Sequence, residues 1–273
     1  MNALDQWLIQ HESSLRLAVF LFVFCGMALW ETLQPARAAQ TPKRVRWLNN
    51  IGLLVINSFA LRLLFPLAAV GFAQFAQQHK LGLLNNYDMP LTIALPCSVV
   101  LLDLCIYWQH RAFHHVPLLW RLHRVHHMDT DMDVTTAARF HTFEIMLSMA
   151  IKWLIIIALG APVIAVIVFE ALLNASATFN HANIRLPAKW DNPLRLLVVT
   201  PNMHRVHHSN VQTQTDSNFG FFLSLWDKLF NTYHYASASQ EQAIQIGLTS
   251  FRQHPWRLTT MLANPFRAAP KTK

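Results

Sequence analysis

Residues Leu91–His127 read LTIALPCSVVLLDLCIYWQHRAFHHVPLLWRLHRVHH. An apolar run from about Met89 to Trp108 ends directly on His110, and two histidine motifs follow at once. A spanning helix needs about 20 predominantly apolar residues. This stretch therefore predicts a membrane helix that delivers its last turns into a histidine cluster. On a helix, residues i, i+3 and i+4 share a face, with Cβ atoms about 5–6 Å apart. His110 and His114, an HxxxH, can point at one spot. So can His123, His126 and His127, an HxxHH. The letters HRVHH return at His204-Arg205-Val206-His207-His208, giving a third fan of imidazoles.

Working outward, further apolar runs cover about Leu15 to Leu33 and about Leu48 to Gln74, the second interrupted by Arg62. A longer run from about Ile145 to Phe179 is broken by Gly160-Ala161-Pro162, the strongest helix breakers. Each of its halves reads as short for a full span, so the expectation is a hairpin that dips into the bilayer and returns. Composition agrees with a membrane chain. Of 273 residues, 53% are hydrophobic and 13% charged, against about 25% charged in a soluble domain. The fold class expected is all-α integral membrane, with about four membrane-embedded elements: three spans plus a re-entrant hairpin under a histidine-rich helical cap. The expected division is an N-terminal transmembrane region over 1–88, a catalytic region over 89–235 and a tail over 236–273.

The net charge is +8. Arg37, Lys43, Arg44 and Arg46 follow the first span, and Arg111, Arg121, Arg124 and Arg139 follow the third. Only Lys80 and Asp88 lie in the loop between the second and third. Positive charge marks the cytoplasmic side, which puts the N-terminus outside and the histidines at the cytoplasmic face. Short loops without a retention signal predict a bacterial inner membrane. The basic residues flank spans rather than form a separate aromatic-interleaved domain, which argues against nucleic acid as a partner. None of the seven glycines forms a GxGxxG or P-loop pattern. Cys25, Cys97 and Cys105 form no CxxC and no disulfide framework.

Imidazole is a good ligand for Fe, Zn, Cu and Ni. Eight clustered histidines are too many for one ion and suit two. His181, in Asn180-His181-Ala182-Asn183, is a ninth candidate. Asp103 sits two turns before His110, and Asp216 and Asn218 follow the third motif. All three are expected to steady ligand imidazoles through their other nitrogen. His141 reads as structural or substrate-facing, and His115 points off the HxxxH face. A zinc hydrolase would need a nearby carboxylate base. No HExxH exists, and Glu144 is the nearest candidate. A metal transporter would carry ionisable groups along its spans, which read as nearly free of them apart from Asp103. A non-enzymatic metal binder is the remaining alternative.

Three segments carry a resemblance: Asp103-Leu-Cys-Ile-Tyr107-Trp108-Gln-His110-Arg111-Ala-Phe-His114, Leu119-Trp120-Arg121-Leu-His123-Arg-Val-His126-His127 and Thr200-Pro201-Asn-Met-His204-Arg-Val-His207-His208. Together with Asn218-Phe-Gly220 and Trp226-Asp227-Lys-Leu-Phe230 they resemble the fatty acid hydroxylase / sterol desaturase superfamily, over roughly Leu91 to Tyr235. The resemblance implies an integral membrane enzyme with a non-haem diiron centre. It implies O₂ as co-substrate, a lipid C–H bond as target, and a separate electron donor such as a ferredoxin, a cytochrome b5-like protein or a reductase. It implies iron ligation by His110, His114, His123, His126, His127, His204, His207 and His208, with His181 in addition. Some members carry a further histidine at the position of Ala177. Hydroxylation is expected over desaturation.

Overall fold

The computed structural model describes residues 3–65, 67–87 and 89–268. Among these residues its regular elements are all helices, with β-type pairing limited to isolated bridges at Val198–Leu223 and Ser209–Ile246. The long elements are α1 (Ala3–Gln10), α2 (Glu12–Leu33), α3 (Lys43–Leu64), α4 (Ala69–Gln78), α5 (Leu91–His115), α6 (Pro117–His127), α7 (Thr142–Leu159) and α8 (Val163–His181). The short helices α9 (Ala188–Leu194), α10 (Pro201–His207), α11 (Gln212–Thr215), α12 (Leu225–Leu229), α13 (Ala238–Ala243) and α14 (Leu258–Ala263) follow.

Local chemistry sets where the histidine helices begin. Proline at the first helical position costs no hydrogen bond and presets φ. Pro117 and Pro201 occupy that place in α6 and α10, and the Thr200 hydroxyl accepts from Met203 N. These starts fix the rotation at which His123 and His204 emerge. Gly160 ends α7 in the left-handed region, at φ 66°. The carbonyls of Ala158 and Leu159 then accept from Leu83 N and Leu84 N, at 3.0 and 2.8 Å. The loop before α5 thus satisfies acceptors that would otherwise be orphaned at a helix end. The approach is so close that a Cβ on Gly82 would lie 2.1 Å from the Ile157 carbonyl oxygen.

Among the described residues, five helical segments are long and apolar enough to cross a membrane: α2, α3 with α4, α5, α7 and α8. Two details differ from the sequence expectation. The second apolar run divides into α3 and α4, and Arg62 falls in the last turn of α3, where a long side chain reaches a membrane surface. The hairpin helices have 18 and 19 residues, within the length that spans a bilayer. Their polar ends, Thr142–Glu144 and Asn180–His181, extend each helix past its apolar run.

Both hairpin helices return to the end of the bundle where α2 and α5 finish and α3 begins. Beneath that end, Leu102, Ile106, Ile156, Val166 and Phe169 of α5, α7 and α8 form the main apolar cluster with Ala69, Val70 and Ala73 of α4. Lipid tails are as apolar as these side chains, so close packing and polar pairs hold such helices together. One polar pair lies deep in the bundle. Lys152 Nζ of α7 donates to Glu170 Oε1 of α8 at 2.5 Å, and Arg16 of α2 lies 3.8 Å from Glu170 Oε2. The spans are therefore less free of charge than their hydropathy suggests.

The cap is tied to the bundle by a second buried network. Arg46 of α3, 1% exposed, pairs with Asp129 at 2.8 Å and Asp133 at 2.5 Å. Arg139 lies 3.7 Å from Asp129 and donates to Val125 O and Pro255 O. Burial would raise the Asp129 carboxyl, and the two guanidiniums overcome it and hold it below the ordinary value. The C-terminal segment closes over α6 through Arg124, which donates to Asn264 and to Arg267 O, and Arg121, which donates to Pro265 O.

Removing one partner of a buried ion pair strands the other, at a cost of about 3–5 kcal/mol. Lys152→Met is expected to lower the thermal unfolding temperature in detergent. Lys152→Met with Glu170→Leu is expected to recover most of the loss. A Lys152→Met variant as stable as the unaltered protein would show that the pair contributes nothing.

Candidate metal centre

Nine buried histidines converge at the cap end of the bundle in two adjacent groups. His110, His114, His123, His127 and His207 form the first, and His126, His181, His204 and His208 the second. Within each group the ligand nitrogens lie within 4.8 Å of one another. The two HRVHH motifs are shared crosswise. The i and i+4 residues of the first motif, His123 and His127, join the group of five, and its i+3 residue, His126, joins the group of four. In the second motif His204 and His208 join the group of four, and His207 crosses to the group of five. The groups share a wall, where the rings of His127 and His208 stack at 4.5 Å and 15°.

Hydrogen bonds behind the rings set the tautomers. In the group of five, His110 Nδ1 donates to Phe219 O at 2.8 Å, His207 Nδ1 to Ser217 O at 2.7 Å, His123 Nδ1 to Glu144 Oε1 at 2.6 Å and His114 Nδ1 to Asp216 Oδ1 at 3.3 Å. Each Nε2 is then a bare lone pair. Yet His110 Nε2 lies 3.1 Å from both His123 Nε2 and His207 Nε2. Lone pairs at that distance repel unless a cation lies among them. In the group of four, His181 Nδ1 donates to Ala177 O at 2.7 Å, and its Nε2 faces His126 and His204 at 3.1 and 3.0 Å. His114 Nε2 and both nitrogens of His127 and His208 are buried without a partner among the described atoms. The residues present therefore fit two metal ions, one per group.

Electrostatics favour the same state. Burial pushes the His123 imidazole down to about 3. For His126, His127, His204, His207 and His208, burial first and neighbouring imidazoles second hold the rings well below the ordinary value. Neutral rings are what metal coordination requires.

The supporting groups differ in part from the sequence expectation. Asp216 meets an imidazole, but Asp103 and Asn218 do not. Asp103 accepts from Phe222 N, Leu223 N and Trp226 Nε1. It acts one step removed, by fixing the loop whose Phe219 carbonyl holds His110. Asn218, at φ 50°, donates to Met203 O and His234 O and accepts from His234 N, which braces α10. Asp227 accepts from Phe219 N and Gly220 N at 2.7 and 2.8 Å. The close partner of His123 is Glu144, which sequence reasoning weighed only as a hydrolase base. A carboxylate opening an apolar stretch was its signal. His141 caps α7 by accepting from Phe143 N, and its Nε2 donates to Leu262 O. His115 is exposed. Trp120 packs on His114 and His127, with ring centroids 5.0 and 5.5 Å apart.

Buried imidazoles in two groups at the end of a membrane bundle coincide with a match of residues 95–232, half of the chain, to the sequence profile of the fatty acid hydroxylase family. The protein belongs to that family. Among curated relatives, an ornithine lipid hydroxylase from Rhizobium tropici is 26% identical over 85% of this chain and 70% of its own length. Alkylglycerol monooxygenases from Xenopus tropicalis and Homo sapiens are 31% and 30% identical over 60% and 54% of this chain. This chain spans only 36% and 31% of their lengths. A very-long-chain aldehyde decarbonylase from Oryza sativa subsp. japonica is 29% identical over 54% of this chain and 24% of its own length. No solved structure gives a significant match.

Two outcomes follow. Glu144→Gln keeps an acceptor for His123 but replaces the carboxyl that holds the ring with an amide. It is expected to weaken metal binding by about 10–100-fold, read as metal retained against a graded chelator; unchanged retention would remove Glu144 from the site. Acid is expected to destabilise the metal-free protein. An unfolded histidine titrates near pH 6.5, whereas the folded rings resist protonation down to about 3 for His123. Between these values the unfolded chain binds more protons, so stability falls as pH drops from 6.5. Each ring contributes up to about 1.4 kcal/mol per pH unit. An unfolding temperature for metal-free protein that stays level from pH 7.5 to pH 5 would contradict this.

Proposed function

We propose that the protein is a membrane lipid oxygenase that uses two bound irons, O₂ and electrons from a separate donor protein to hydroxylate a C–H bond of a lipid. The observation that carries the reading is the pair of adjacent imidazole groups at the membrane end of the bundle. Neutral imidazoles there would hold one ion in each group, with the carboxyl groups of Glu144 and Asp216 behind His123 and His114. Iron in this setting supplies reduction of O₂ and oxidation of a C–H bond.

The chain's own residues do the rest. His110, His114, His123, His127 and His207 would hold one ion, and His126, His181, His204 and His208 the other. Asp103, Asp227 and Asn218 keep the loop and helix behind these rings in place. Trp120 and Phe219 cover the group of five and limit water, which protects a reactive oxidant. The relatives' names point the same way, since two of the three kinds are a lipid hydroxylase and an alkylglycerol monooxygenase. This favours hydroxylation over desaturation. Residues 89–235 form the catalytic region. The site faces the cytoplasm of a bacterial inner membrane, and the α7–α8 hairpin enters from that side and returns to it. Zinc hydrolysis fits less well, because Glu144 is committed to His123 and is not free to activate water.

The test is metal content with Mössbauer spectroscopy on the purified protein and on His127→Ala with His208→Ala, alongside ¹⁸O₂ incorporation into added lipid. Two irons per chain with a coupled diferric signal, absent in the double variant, and ¹⁸O in a lipid hydroxyl are expected. Zinc alone after growth in ample iron, with no O₂-dependent product, would overturn the reading.

A further inference from the structure

A cavity of about 270 Å³ opens beside the C-terminal end of α2. Its walls come from the last turn of α2, the α2–α3 connection, residues 130–133, Asn183 and Arg205. Three of these walls continue ligand segments. Asn183 lies two residues after His181, Arg205 follows His204, and the 130–133 segment begins three residues after His127. The cavity therefore backs onto the imidazole group of His126, His181, His204 and His208.

Its chemistry is unusual for a chain with so few charges. Three carboxylates, Glu31, Asp131 and Asp133, and four cations, Arg37, Lys43, Arg46 and Arg205, line it together. Arg46 and Asp133 neutralise one another. The others are held in place without full pairing. The Arg37 guanidinium donates to the carbonyls of Glu241, Gln242 and Ile244, at 2.9, 3.3 and 2.5 Å. Asp131 accepts from Gln40 N and Thr41 N at 2.7 and 2.9 Å. Among the described residues, neither Arg37, Asp131 nor Arg205 joins an ion pair. Glu31 is 4% exposed, and its Oε2 accepts from Val134 N and Asn183 N. Its Oε1 has only the partly exposed Lys43 ammonium, 3.0 Å away. Fixed charges of both signs thus face one hollow, and among the described residues Arg37, Asp131 and Arg205 have no ion-pair partner.

We propose that this cavity holds the headgroup of the lipid substrate, and that the headgroup is zwitterionic, with an ammonium beside an acidic group. The inference rests on the lipid-oxygenase reading above and narrows it. The ammonium is met by Asp131 and Glu31, the acidic group by Arg37 and Lys43. A neutral glycerol headgroup would leave these charges desolvated and unanswered, which costs free energy. Headgroup capture here brings the polar end of the lipid to the imidazoles, so oxidation falls near that end and not at the chain terminus.

The test is lipid retention by the metal-loaded full chain in detergent, measured by native mass spectrometry with phosphatidylethanolamine, phosphatidylglycerol and diacylglycerol. Phosphatidylethanolamine is expected to be retained preferentially. Lys43→Gln and Asp131→Asn are each expected to weaken its retention about ten-fold, the loss of one charge-assisted contact, with diacylglycerol retention and metal content unchanged. Equal retention of the three lipids, or equal weakening of all three in the variants, would overturn the proposal. So would displacement by millimolar free serine without discrimination among lipids, which would make the cavity a site for a soluble zwitterion. Retention needs no turnover. Selective retention without an O₂-dependent product would sink the oxygenase reading and leave the headgroup site standing. Oxidation of lipid with no headgroup selectivity would do the reverse.

Discussion

Bare imidazole nitrogens facing one another at 3.0–3.1 Å are the constraint on which this fold turns. Such an arrangement is unfavourable without a cation, and it persists only if each ring is held from behind. Most of the cap serves that purpose. The Phe219–Leu223 loop is fixed by Asp103 and Asp227 and offers a carbonyl to His110. The start of α7 presents Glu144 to His123, and the last turn of α8 holds His181 by its own backbone. The Arg46–Asp129–Arg139 network anchors the segment after α6. Rigidity is applied to groups that would otherwise push apart.

The support is uneven. Four of the five rings in the larger group donate Nδ1 to a fixed acceptor. In the smaller group only His181 does so, and Nδ1 of His126, His204 and His208 finds no partner among the described atoms. The smaller group also lacks an i−4 companion to His181, since that position is Ala177. One group is braced from behind, and the other has freer rings and a charged cavity at its back.

Much of the centre is legible in the sequence because helical spacing is local. His110 with His114, and the HRVHH repeats, declare shared faces from letters alone. The division of each motif between the two groups is set by how α6 and α10 are placed in the tertiary fold, and no local pattern carries that. Asp103 illustrates the limit. Its two-turn offset from His110 is real, but the chain folds a loop against it, and backbone N–H groups occupy its oxygens. Glu144 holds its imidazole across 21 residues, a separation that only tertiary packing closes. The hairpin halves read as short because apolar letters were counted, whereas Thr142–Glu144 and Asn180–His181 lengthen each helix with polar residues that serve the site. Lys152 and Glu170 are diluted by their apolar neighbours in hydropathy, and their pairing depends on α7 and α8 lying antiparallel.

The crosswise sharing of the two HRVHH motifs has a consequence for assembly. Neither group has a motif of its own. A rotation of α6 or α10 that misplaces one ring misplaces a ring of the other group as well. An ion captured in one group would therefore set both helices and prepare the other group. Loading of the two groups would then be cooperative, with little time spent half-filled.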